Sequence, residues 1–183
     1  MATQSWTSTS TSDSPAAPVA ASWFAVQTKA RHEKKVDTLL RGKNVDSFLP
    51  VVSKVQRWSD RKKTVEFPLF PSYSFVQIEP SPHNMINVLR TPGVLRIVSA
   101  GSEPVPVPTK QIEDVRKLLM RNVLCWEHPF LNAGQRVRVR GGCLDGVEGI
   151  LTEVKSNRRL IISADPIQRS IAISIDEYDV EPA

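Results

Sequence analysis

Four cations surround an indole in Arg57-Trp-Ser-Asp-Arg-Lys-Lys63. Lys and Arg neutralise phosphates, and an aromatic ring among them can stack on an unpaired base or lie along a duplex. Arg57, Trp58, Arg61, Lys62 and Lys63 are therefore candidate nucleic-acid contacts, although a solvated hairpin tip has the same composition. Lys29, Arg31, His32 and Lys35 form a second basic group, just ahead of an apolar stripe at helical spacing. Catalytic chemistry is poorly served. The histidines His32, His83 and His128 lie in three different elements, and neither G-x-S-x-G nor a phosphate-cradling Gly-Lys-Ser/Thr occurs. Cys125-Trp-Glu-His128 has C-x-x-H spacing, but a structural zinc site needs four ligands, which this chain is ill supplied to complete. No catalytic residue, metal or cofactor is expected, and an enzyme is the remotest class.

A different chemistry is offered by Phe70-Pro-Ser-Tyr-Ser-Phe75. Aromatic rings give much buried area per ordered side chain, and Tyr keeps a polar tip, which together suit a groove for a partner's helix. Phe70 and Tyr73 flank a Pro-Ser turn and are expected at the surface. For Phe75, and for Val115 and Leu119 farther on, core and contact surface both stand, since an apolar stripe is ordinarily core.

The elements that must position these residues follow from periodicity. Residues 23–28 read as a strand and 30–41 as a helix with Val36, Leu39 and Leu40 on one face, closed by Gly42 as its C′ glycine. Strands are expected at 47–56 and 64–67, joined by the basic hairpin, and at 73–78. A short helix through 85–90 stops at Pro92-Gly93, and a strand returns over 95–98. Thr109 is the expected N-cap of a helix carrying Ile112, Val115, Leu118 and Leu119. Residues 125–132 read as a linker.

Beyond it, Val137 and Val139 alternate with Arg136, Arg138 and Arg140, the period of a half-buried strand with a wet basic face. Gly142-Cys-Leu-Asp-Gly146-Val-Glu-Gly149 follows, then strands at 160–163 and 168–175. In the last, Ile171, Ile173 and Ile175 alternate with Ser170, Ala172 and Ser174. Such short strands close a small barrel with no room for a deep pocket.

Charge divides along the same boundary. Residues 22–132 hold 17 basic and 10 acidic side chains, and 133–183 hold 7 and 8, so the overall +5 belongs to the front of the molecule. Residues 1–21 are rich in Ser, Thr, Ala and Pro without Lys or Arg, and read as a disordered leader rather than an export signal. No apolar run approaches the roughly 18–20 residues that span a bilayer. Two well-separated cysteines make no disulfide framework, and a cytoplasmic, monomeric protein without membrane contact is expected.

Trp23-Phe-Ala-Val-Gln-Thr28, Arg31-His-Glu-Lys-Lys-Val36, Phe48-Leu-Pro50, Pro68-Leu-Phe-Pro-Ser-Tyr-Ser-Phe-Val76, Arg90-Thr-Pro-Gly-Val94 and Pro106-Val-Pro108 carry a family resemblance. In order and spacing they resemble the N-terminal domain of NusG-type transcription elongation factors. The strand and glycines over 134–149 resemble the KOW motif of their C-terminal domain. The resemblance implies an α+β fold: an NGN-like sandwich, an antiparallel sheet flanked by helices, over 22–124. A linker over 125–132 and an SH3-like KOW β-barrel over 133–183 follow. Leu69-Phe-Pro71, the Arg57-Trp-Ser-Asp60 hairpin and the short KOW loops resemble the specialised RfaH-like and UpxY-like antiterminators.

The resemblance further implies a factor that rides on RNA polymerase and suppresses pausing or termination, serving long operons such as those for surface polysaccharide. Phe70, Pro71, Tyr73, Phe75, Val115 and Leu119 match the positions that grip the clamp helices of the largest polymerase subunit. Lys29, Arg31, His32, Lys35 and Thr91, with the basic hairpin, would meet non-template or upstream DNA. Leu144 and Val147 would reach a second partner, the ribosomal protein NusE or the termination factor Rho, or else plug the barrel end. Asn84, Met85 and Ile86 stand where RfaH-like proteins carry a His-Thr-Thr motif, so that contact is not expected. One family member refolds its C-terminal domain into a helical hairpin. The Val- and Ile-rich period-two pattern here favours a permanent barrel instead. The alternative function is a ribosome-associated or RNA-binding protein with a KOW module, for which a basic barrel would be expected.

Overall fold

The computed structural model describes residues 20–57, 62–121, 123, 125–128, 134–154, 157–175 and 178–183. Trp58 and Arg61, the leader over 1–19 and the stretch 129–133 lie outside the described residues.

Strand β1 (Ser22–Thr28) organises the first half. Its Trp23-Phe-Ala-Val26 core is buried on both faces, as a central strand requires. It pairs antiparallel with β5 (Tyr73–Ile78) on one side and with β6 (Val94–Ile97) and β9 (Pro106–Val107) on the other. Strand β2 (Asp46–Phe48) completes the order β2-β5-β1-β6. On one face Phe24, Val26, Val76 and Ile78 pack with Val36 and Leu40 of α1 (Glu33–Gly42) and Val88 of α2 (Pro82–Leu89). On the other, Trp23, Ala25 and Phe75 share a cluster with Ile112, Val115 and Leu118 of α3 (Thr109–Met120). This is the expected α+β sandwich.

Local departures have local causes. Helix α1 begins at Glu33 rather than residue 30, because Arg31 sits at φ 64°, which a right-handed helix excludes. Gly42 is its last helical residue, and the left-handed reversal falls on Asn44 at φ 57°. The strand expected over 47–56 breaks at Leu49-Pro50, since Pro brings no N–H to a ladder. Beyond the break, β3 (Val51–Arg57) and β4 (Lys62–Pro68) form a separate ribbon, tied to α1 by Lys34 and Glu66 at 2.7 Å. A smaller ribbon joins β7 (Ser99–Ala100) to β8 (Glu103–Pro104). Thr109 is the first helical residue rather than the cap of α3; Pro108 holds the cap position without a side-chain bond.

The second half is an antiparallel sheet ordered β10-β14-β13-β12-β11-β15. These are Cys125–His128, Arg169–Ser174, Asn157–Ala164, Glu148–Val154, Gln135–Arg140 and Asp179–Pro182 respectively. Cys125–His128, expected as the front of a linker, instead adds edge strand β10 by pairing with β14. Val137, Val139, Leu160, Ile162, Ile171 and Ile173 fill the interior. The face of β14 that carries Ser170, Ala172 and Ser174 is only partly exposed. Ser174 is exposed, but Ala172 packs with Ile150 and Ile161 in a second small cluster, and Ser170 Oγ lies 2.8 Å from Ser163 Oγ.

Two features yield predictions. A Cβ on Gly149 would collide with the Ile161 carbonyl, where β12 crowds β13. Gly149→Ala should destabilise the protein by about 1–3 kcal/mol, read from its urea midpoint at constant m. Burial pushes the Cys125 thiol up to about 11, whereas Cys143 is exposed. Brief iodoacetamide treatment at about pH 8 should alkylate Cys143 and spare Cys125 in the folded protein, as mass spectrometry of peptides would show, since the thiolate is the reactive form.

Candidate functional site

The turn between β4 and β5 does not present the rings expected of it equally. Phe70 is sealed at 1 % exposure and meets Phe75, equally buried, edge to face at 5.9 Å. The reason is the turn itself. Ser72 adopts φ 66°, and the Tyr73 N–H donates to the Phe70 carbonyl, while the Leu69 N–H donates to that of Pro50. Pro71 is exposed and Tyr73 half-buried against the same cluster. Of the positions left open between core and surface, Phe75 and Val115 are core, and Leu119 is half-buried against the same cluster.

Three contributors to this face escaped sequence reasoning. Phe48 is half-buried against the cluster, its ring centroid 6.3 Å from that of Phe75. The Arg116 guanidinium sits 4.8 Å from the centroids of both Trp23 and Phe48, a doubled cation–π contact that pins α3 to the sheet. The buried Glu33 carboxylate accepts the Ser72 N–H at 2.9 Å and anchors the turn from α1. Long-range partners such as these leave no local pattern. Phe70 and Phe75 are thus sealed within the cluster, and Phe48, Tyr73 and Leu119 are half-buried side chains packed against it.

The basic candidates are dispersed differently. Lys29, Arg31 and Lys35 are exposed along the β1–α1 connection and the first turn of α1. His32 is half-buried, with Nδ1 3.1 Å from the Ala30 carbonyl. Thr91 does not face outward as expected. It is buried, its hydroxyl donating to the Asn87 carbonyl and accepting from Lys43 Nζ at 2.9 Å. Arg57, Lys62 and Lys63 lie on the β3–β4 ribbon, whose tip is outside the described residues. In the barrel, Arg138 and Arg140 are not a free cationic stripe: each pairs at 2.7 Å, with Glu148 and Glu181.

Leu144 and Val147 are fully buried, so neither side chain presents a free surface in this structure. The loop they shape is nevertheless engaged, by α3. Lys110 Nζ donates to the Gly146 carbonyl at 2.8 Å, and Lys117 Nζ to that of Asp145 at 3.3 Å. Gln111 Nε2 donates to Asp165 at 2.9 Å, and the Glu148 N–H reaches Asp114 at 3.4 Å. Apolar contact continues across this seam: barrel residues Leu144, Val147, Ile162 and Ile167 belong to the same cluster as Ile112, Val115 and Leu118. Beside it lies a cleft of about 320 Å³ between Pro108, Lys110, Gln111 and Asp114 on one wall and Arg136, Glu148 and Ile161 on the other. Among the described residues no group of three or more His, Cys, Asp or Glu side chains could hold a metal ion, and no helix is long and apolar enough to cross a membrane.

This architecture has relatives. A family model described as transcription termination factor NusG matches residues 21–116. A Borreliella burgdorferi transcription termination/antitermination protein NusG is 23% identical over 87% of this chain and 97% of its own. The Lactococcus lactis protein of that name is 27% identical over 87% and 91%, and the Thermus thermophilus one 30% identical over 74% and 84%. Among solved structures, that of Thermotoga maritima NusG, titled for a domain interaction, superposes with a TM-score of 0.53 at 19% identity, covering 91% of this chain and 99% of that one. With its sandwich matched by the family model and both halves covered by full-length relatives, this chain belongs to the NusG family of transcription termination/antitermination factors.

Proposed function

We propose that this protein holds RNA polymerase through the half-exposed rim of Phe48, Tyr73 and Leu119 and suppresses pausing or termination. The observation that carries this reading is the rim's construction. Half-buried apolar side chains, with exposed Pro71 beside Tyr73 and Met120 beside Leu119, rest on a floor made rigid by the Phe70–Phe75 contact. A preordered apolar rim loses little entropy when a helix such as those of the polymerase clamp settles on it. Phe70, Phe75 and Val115 then shape the surface from beneath rather than touch the partner. Lys29, Arg31 and Lys35, with the basic ribbon, are placed to neutralise phosphates of nearby DNA.

The barrel, in this reading, recruits a second partner such as NusE or Rho through its 141–147 loop, where Cys143 and Asp145 are exposed. A specialised role at long polysaccharide operons rests on the likeness of Leu69-Phe-Pro71 and the Arg57-Trp-Ser-Asp60 hairpin to RfaH-like and UpxY-like proteins. The pairing of Arg138 and Arg140 with Glu148 and Glu181 weighs against RNA binding by the barrel.

In vitro transcription across a terminator tests the proposal. Wild-type protein should raise readthrough, and Tyr73→Ala and Leu119→Asp should each remove most of the increase while leaving the thermal midpoint within a few degrees. Phe70→Ala is the wrong probe, because a cavity at a sealed ring would confound binding with folding, at about 3–5 kcal/mol. Unchanged readthrough with wild-type protein, or full activity in both rim variants, would refute the proposal.

A further inference from the structure

The connection from β1 to α1 carries the exposed cations Lys29 and Arg31, and both of its ends bond to one residue of the aromatic turn. The Ser72 carbonyl accepts the Thr28 N–H at 2.8 Å, and the Ser72 N–H donates to the Glu33 carboxylate at 2.9 Å. Between those ends the Lys29 N–H donates to the Gly93 carbonyl at 2.8 Å. That attachment is fixed, because a Cβ on Gly93 would come within 2.9 Å of Val36 Cγ2, and Lys43 holds neighbouring Thr91. Ser72 and Arg31 both lie in the left-handed region, at φ 66° and 64°. Such backbone persists in a residue with a Cβ only where surrounding bonds hold it. The Thr28 hydroxyl is buried without a partner among the described residues, so the side-chain tie to the turn comes from Glu33.

We propose that Glu33 is a positioning residue for both surfaces of the proposed function: it clasps the cation-bearing connection to Ser72, so that occupancy of the turn and occupancy of the cations favour each other. Exposed Pro71 and half-buried Tyr73 flank Ser72, while Lys29 and Arg31 lie between the two residues that bond to it. Whatever orders the turn therefore orders the connection. A helix resting on Pro71 and Tyr73 removes motion at Ser72. Phosphates held by Lys29, Arg31 and Lys35 remove motion on the far side of the same bonds. The ordering cost falls on the first ligand, so the second binds more tightly than it would alone. The gain is reciprocal between the two.

What the clasp requires is reach and an acceptor. Glu33 stands in the first turn of α1, where the helix N-terminus favours an acidic side chain, and it is buried at 5 % exposure. Its bond to the Ser72 amide is one that an uncharged carbonyl oxygen at the same distance can make. Reach and charge can therefore be separated by substitution. Glu33→Gln keeps the reach and an acceptor and gives up the charge. Glu33→Asp keeps the charge and, one methylene shorter, loses the reach.

The two ligands are those of the proposed function, on which the coupling rests, so the full chain is measured first without either. In amide hydrogen exchange, Ser72 and Thr28 should exchange about tenfold faster in Glu33→Asp than in wild-type protein. In Glu33→Gln they should stay within about threefold of wild type, and Leu40 of α1 should be unchanged in both. Fluorescence titrations then use a single-stranded oligonucleotide of about 12 nucleotides and a peptide bearing the polymerase clamp helices. Saturating peptide should tighten DNA binding about fivefold in wild-type protein and in Glu33→Gln, and less than about twofold in Glu33→Asp. A changed charge beside the DNA acts equally with and without peptide and cancels from this ratio. Wild-type protein that binds neither ligand would refute the proposed function, and exchange then decides the positioning role by itself. Protection kept at Ser72 and Thr28 in Glu33→Asp, or lost in Glu33→Gln, overturns the inference. So does wild-type protein that binds both ligands without any gain between them. Should Glu33→Asp lose protection throughout α1, Glu33→Met, which fills the same space without an acceptor, takes its place against Glu33→Gln.

Discussion

Twelve residues of α3 serve two bodies at once. Ile112, Val115 and Leu118 complete the core under Trp23 and Phe75, while Lys110, Gln111, Asp114 and Lys117 meet the barrel. A helix has room for both because 3.6 residues per turn separates the two stripes around its axis. Arg116, 4.8 Å from the ring centroids of both Trp23 and Phe48, fastens this helix to the sheet while its other stripe meets the barrel.

Chemistry is divided to match. The half-buried Phe48, Tyr73 and Leu119 come from β2, β5 and α3, and the exposed cations Lys29, Arg31 and Lys35 lie along the β1–α1 connection and the first turn of α1. Glu33 links the two, because its carboxylate leaves the first turn of α1 to hold the Ser72 amide in the aromatic turn. A charge buried for this purpose orders a turn that strand pairing alone does not reach, at the position where the chain adopts φ 66° without glycine. On the barrel, Arg138 and Arg140 are spent on the neighbouring carboxylates of Glu148 and Glu181.

Much of the fold was legible because it repeats locally. The alternation of Val137 and Val139 with three arginines names a strand, and Val36 with Leu40 names a helical face, whatever else the chain does. Legibility failed where a single residue's backbone decided an edge. Arg31 in the left-handed region delays α1, Pro50 splits a strand in two, and Cys125–His128 becomes an edge strand only because β14 is there to pair with it. The candidate site suffered more. Phe70 and Thr91 have the side chains of contact residues, yet a turn folds one inward and Lys43 and Asn87 claim the other.

By themselves, the residues determined the order of elements, the two-part architecture and the family, because periodicity, turn chemistry and motif spacing are properties of neighbours along the chain. Only the tertiary structure decided which aromatic rings are floor and which are rim, and that the barrel loop rests on α3. Those outcomes depend on partners dozens of positions away: Glu33 to Ser72, Lys110 to Gly146, and Asp114 to Glu148. Burial and desolvation are set by what closes over a side chain, and no local pattern records it.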